Sequence, residues 1–201
     1  MDNQPTKPEL ILTLDPQDLP FYTTLLQSGV EIKGSEGETM ALFLNRLPGF
    51  TLDYISDVVQ TIFLNGTAVD DLTTPLRGKN PVLALSAAMP GLAGAIFRRN
   101  SFHAGLRTQP DKKVSKEIKN RPLTVTLKLF NSIALERGPG LLQMGVSITS
   151  RQFVDFLAKR DTLLEKIKQV SLANSIVNKK DLTALLADTK KIKLKISTTH
   201  G

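Results

Sequence analysis

The sequence predicts an α+β fold made of two diverged copies of one small unit, and three observations carry that expectation. The stretch LLQSGVEI at residues 25–32 recurs as LLQMGVSI at residues 141–148. TIFLNGTAVDDLTTPL at residues 61–76 aligns with QVSLANSIVNKKDLTALL at residues 169–186, and GKNPVLALS that follows the first aligns with TKKIKLKIS after the second. Both copies also open on an alternating segment, LILTL at residues 10–14 and LTVTLKLF at residues 123–130, the period of a half-buried strand. Because the order agrees from end to end, an internal duplication over residues 9–86 and 123–197 explains it better than a single shared motif.

Each copy reads as strand, connector, short strand, helix, strand, turn, strand. In the first copy the helix carries Phe43 and Leu44 and is interrupted at Pro48-Gly49, after which Thr51 can cap a second helical piece bearing Leu52, Ile55, Val58 and Val59. In the second copy Ser150 is the expected N-cap, and Phe153, Phe156, Leu157, Leu164 and Ile167 define one apolar helix face. Lys166 and Lys168 fall near the end of that helix, where its dipole favours cations. Asn65-Gly66 follows the strand TIFL and suits a tight reversal, since both residues accept positive φ at little cost; Ala173-Asn174 hold that place in copy two. Asp70-Asp71 lie in the next turn and match only Asp181, as turn or capping residues would.

Composition bounds the chemistry. The chain has no cysteine, which removes disulfides, thiolate metal sites and cysteine nucleophiles, and only His103 and His200 remain for histidine chemistry. Neither G-x-x-x-x-G-K-[ST] nor G-x-G-x-x-G occurs, and no nucleophile is paired with a base, so no catalytic residue and no cofactor is expected. The N-terminus lacks an apolar h-region, and the longest uncharged stretch, residues 80–97, is broken by Pro90-Gly91; the expectation is a cytoplasmic protein without a membrane span. Net charge is +7, unevenly spread: residues 1–97 hold five basic and eleven acidic residues, residues 98–201 hold 21 and eight. Such asymmetry suggests either an anionic partner or complementary packing between the halves.

Residues 39–91, with the helix MALFLNRLPG followed by IFLNGTAV and DDLTTPLRGKNPVLAL, resemble the ubiquitin-like sulfur carriers, the small subunit of molybdopterin synthase and the thiamine-biosynthesis carrier. The residues that carry the resemblance are Leu64-Asn65-Gly66, Val69, Thr74-Pro75-Leu76, Gly78 and Val82, with VTLKLF in copy two similar to the family's first strand. It implies two tandem β-grasp (ubiquitin-like) units related by internal duplication. In that family a terminal Gly-Gly carboxylate is activated with ATP and becomes a thiocarboxylate. Copy one has Pro90-Gly91 at that place and continues, and copy two ends in the single Gly201, so activation at Gly201 is an alternative rather than the leading expectation.

The expected organisation is therefore a first β-grasp unit over residues 1–86, a docking segment and basic linker over 87–121, and a second unit over 122–201. Segment 87–121 belongs to neither copy. Its small residues admit a close backbone, and Met89, Leu92, Phe97, Arg98, Arg99, Phe102 and Arg107 are the types that carry binding energy at interfaces. The leading expectation is a non-catalytic accessory or scaffold protein that docks through this segment on a larger protein partner or on a second copy. A further alternative is a module binding RNA or another polyanion through residues 98–121 and the lysine-rich stretch 190–195, with the competing reading a solvated basic linker.

Overall fold

The computed structural model describes residues 7–107 and 121–199. The strands, in chain order, are β1 Glu9–Leu14, β2 Val30–Ser35, β3 Thr61–Leu64, β4 Thr67–Ala68, β5 Val82–Ser86, β6 Pro122–Leu129, β7 Val146–Thr149, β8 Gln169–Leu172, β9 Ser175–Val177 and β10 Lys191–Thr198. The helices are α1 Leu19–Tyr22, α2 Leu25–Ser28, α3 Met40–Asn45, α4 Leu52–Asp57, α5 Gly91–Phe97, α6 Asn131–Met144, α7 Ser150–Ala158, α8 Asp161–Lys166 and α9 Leu182–Leu186. The fold is mixed α/β, and its sheets hold both parallel and antiparallel pairs.

Two compact units divide the chain: residues 31–138 form one, and residues 1–30 with 139–201 form the other. These are not the two sequence copies, because the first strand of each copy lies in the sheet built by the rest of the other. In the continuous unit the strand order is β4-β3-β5-β6-β2. There β3 runs antiparallel to β4 and β5, and β5 runs parallel to β6 with Val82 opposite Thr126. In the discontinuous unit the order is β7-β10-β1-β8-β9. Here β1 runs parallel to β10, with Glu9 opposite Lys193, and antiparallel to β8. The central pair of strands is thus parallel in both units, although β10 adjoins β7 while its counterpart β5 adjoins β3.

Alternation decides which face of each strand is buried. Leu10, Leu12 and Leu14 of β1 are fully buried, and Leu10 and Leu12 lie opposite Leu194 and Ile196 of β10, also fully buried. Tyr22, Leu25 and Leu26 from α1 and α2 and Phe153, Phe156 and Leu157 from α7 complete this core. The Tyr22 hydroxyl donates to the Leu163 carbonyl at 3.0 Å, satisfying the one polar atom its ring carries inside. In the continuous unit Leu123, Val125, Leu127 and Leu129 of β6 are buried with Phe43 and Leu44 of α3, Ile55 of α4 and Ile133 of α6.

Local expectations meet the structure unevenly. The first-copy helix breaks as read: Thr51 caps α4 by accepting from the Tyr54 amide. The second-copy helix also breaks, into α7 and α8, so the apolar residues do not share one helix face; Ile167, at the end of α8, is buried as expected, while Leu163 is buried in place of Leu164. Its cap is Thr149, which accepts from the Gln152 amide, and Ser150 is the first helical residue. Asn65-Gly66 and Ala173-Asn174 all take positive φ, so both reversals form. Asn65 Oδ1 also accepts from the Val82 amide.

Part of the charge asymmetry is matched by ion pairs within the discontinuous unit. Glu9 pairs with Lys193 at 2.9 Å, Asp15 with Lys168 at 3.0 Å and Asp18 with Lys166 at 2.5 Å. Acidic residues from the chain's start thereby meet basic residues from its end. The hydrogen bond from Lys168 holds the Asp15 carboxyl below its usual range.

Candidate functional site

The segment after β5 folds onto the continuous unit as α5 followed by a 3-10 turn, Phe102–Leu106. Small residues make α5 possible: Gly94 lies so close to the Met89 carbonyl that a Cβ there would overlap it. Asn100, at φ 54, reverses the chain, and Ser101 caps the 3-10 turn by accepting from the His103 amide at 3.0 Å. The Ser101 hydroxyl in turn donates to the Ala95 carbonyl, which ties the turn back to the helix.

Two arginines lock the segment down. Arg99 donates from Nη1 to the carbonyls of Ile55 at 2.9 Å and Val59 at 3.1 Å, at the C-terminal end of α4, where a cation satisfies open carbonyls and opposes the helix dipole. Its backbone amide donates to the Gln60 carbonyl. Burial lowers the guanidinium pKa, and the charge of Asp70 opposes that shift. Arg107 donates to the Ile96 carbonyl at 2.7 Å and to the Arg98 carbonyl, and pairs with Asp70 at 2.6 Å. Its side chain is only 7% exposed, so it works as an internal clasp rather than a surface cation. Phe97 packs its ring on Phe63 of β3 with centroids 5.3 Å apart.

The seven residues expected at a docking surface therefore separate. Phe97, Arg99 and Arg107 serve the segment's own attachment, and Met89 is half-buried. Leu92, Arg98 and Phe102 face outward, with Leu92 73% and Phe102 97% exposed. Sequence reading passed over Leu106, which is 70% exposed in the same 3-10 turn. Only its place five residues after an N-capping serine could have drawn it in. The Phe102 ring meets the His103 ring edge-on at 5.5 Å.

Gly201 and the lysines at 112, 113, 116 and 119 lie outside the described residues. Asp71 accepts from the Thr73 amide and hydroxyl, which lowers its pKa, as a turn residue would. No helix among the described residues is long and apolar enough to cross a membrane. No protein-family model matches the chain, and neither the curated proteins nor the solved structures yield a match.

Proposed function

We propose that this chain is a non-catalytic accessory or scaffold protein that docks on a larger protein partner through Leu92, Arg98, Phe102 and Leu106. The observation that carries this reading is a fully exposed phenylalanine on a platform that is itself firmly held. Arg99, Arg107, Ser101 and the Phe97–Phe63 contact fix α5 and the 3-10 turn, so docking there would cost little ordering entropy. Aromatic and arginine side chains are enriched among residues that dominate interface energies, where truncation costs about 2 kcal/mol or more.

We further propose that each unit is a β-grasp, on the support of a parallel central strand pair, with β3 antiparallel to β5 in one unit and β7 and β8 antiparallel to β10 and β1 in the other. The kinship with sulfur carriers is then one of scaffold. Asn65, Gly66 and Gly78 are accounted for by positive-φ turns and Leu76 by complete burial. The test is affinity capture with the intact chain tagged at its N-terminus. Phe102→Ala with Leu106→Ala should lose a stoichiometric partner by about thirtyfold in affinity, with thermal stability unchanged. Retention of the partner by the double variant overturns the reading.

A further inference from the structure

A second candidate surface lies in the discontinuous unit, where the end of α2 faces α7 across an open groove of about 490 Å³. Its walls are polar and cationic. Arg151, Lys159 and Arg160 line it against one carboxylate, Asp155, with Gln27 and Ser28 supplying further hydrogen-bonding groups. Phe156 is the one large apolar side chain in the lining, and Arg160 lies over its ring at 4.5 Å while donating to its carbonyl. The apolar floor is therefore already covered, and an apolar ligand would gain little there.

The groove's framework is fixed. Gln152 donates from its side-chain amide to the Gly29 carbonyl at 2.7 Å, tying α7 to the end of α2. In the first turn of α7 the Gln152 amide is taken by Thr149 and the Ser150 amide by the Lys190 carbonyl, so the attraction is assigned to the cations and not to the helix terminus. Arg151 is the loose member: it is 90% exposed and meets Asp155 only at 3.7 Å, leaving most of its donors uncommitted. Guanidinium and ammonium groups lining one groove beside amide and hydroxyl groups match the charge and the many acceptors of a phosphoryl group.

We infer that this groove binds a small phosphorylated molecule, its phosphoryl group held by Arg151 and Lys159 beside the fixed Arg160. Asp155 opposes binding both by its charge and by competing for Arg151. The groove is separate from the segment of residues 89–107 and does not depend on its role.

The test is an amide NMR titration of the whole chain with ATP and with inorganic pyrophosphate at about 150 mM salt, where diffuse attraction is screened. Saturable shifts confined to residues 24–29 and 149–160 are expected. Arg151→Ala with Lys159→Ala, both exposed and so compatible with folding, should weaken binding at least about tenfold. Asp155→Asn should tighten it by about threefold, the reverse of what general loss of structure would give. Vesicles containing phosphatidylinositol bisphosphate distinguish the source: sedimentation with them that the double variant abolishes points to a lipid headgroup, and saturation by ATP without vesicle binding to a soluble molecule. Non-saturating shifts, shifts centred on the β10 lysines, or affinity unchanged in the double variant overturn the inference.

Discussion

Both tyrosines of the chain carry phenols that resist ionisation. Burial, helped by the charge of Asp18, pushes Tyr22 well above the usual value of 10.0, and burial with the hydrogen bond to Glu136 pushes Tyr54 up to about 12. A raised pKa on an acid means that above pH 10 the folded chain keeps protons the unfolded chain releases. Stability is therefore intact below pH 10 and falls as pH rises, for Tyr54 until about pH 12. Phenolate absorbance should stay flat through pH 10 to 11 and then rise together with unfolding; free titration of either ring near pH 10 would contradict this. Tyr54→Phe should cost about 1 kcal/mol at neutral pH, for the lost hydrogen bond, and should flatten the alkaline decline in melting temperature. Residue identity made neither shift readable, since desolvation depends on which strands and helices close over the ring. The same holds for Arg99 and Arg107: the sequence marks them as arginines near apolar residues, and only the folded chain shows which carbonyls they satisfy.

At the scale of elements, the segment over residues 89–107 holds together by close backbone approach and by the Arg107 clasp. Gly94→Ala cannot be accommodated without moving the Met89 carbonyl, and Arg107→Leu abandons three acceptors, Asp70 among them as a partly buried charge. Each substitution should raise amide hydrogen exchange across residues 91–106 by at least about tenfold while shifting the global melting temperature by only a few degrees, because the core under β5 does not involve these groups. Uniform destabilisation of the whole chain, with no local excess, would show instead that the segment is part of the core. Several elements were readable beforehand because their signals are local: the break at Pro48-Gly49, the Thr51 cap and the Asn65-Gly66 reversal each depend on a few adjacent residues. Helix α6 was not, since Gly138-Pro139-Gly140 interrupts a stretch that nonetheless stays helical through Met144. Ile133, Leu141 and Leu142, all fully buried on it, show that tertiary burial outweighs the poor intrinsic propensity.

The duplication is visible in the sequence, but the partnership between strands is not, because alternation says which face a strand buries and never which neighbour it pairs with. The consequence at the scale of the molecule is a difference in autonomy. Residues 31–138 hold all five strands of their sheet in one continuous stretch, so that fragment should fold alone with a cooperative thermal transition. Residues 139–201 lack β1, the strand that fills the place between β10 and β8. Its absence removes Leu10, Leu12 and Leu14 from the core, and burying each is worth about 1.5–3 kcal/mol, so the total is comparable with the whole stability of a small domain, about 5–15 kcal/mol. The ion pair of Glu9 with Lys193 goes with it, and those of Asp15 with Lys168 and Asp18 with Lys166 go with the residues that follow β1. The fragment 139–201 should therefore be unfolded by circular dichroism and should gain strand signal when a peptide of residues 1–30 is added. The gain should be saturable, and Leu12→Asp in the peptide should abolish it, since an unpaired carboxylate would enter the core opposite Ile196. A fragment 139–201 that folds without the peptide would mean that β10 pairs directly with β8 when β1 is missing, and the N-terminal strand would then be an addition to the unit rather than its centre.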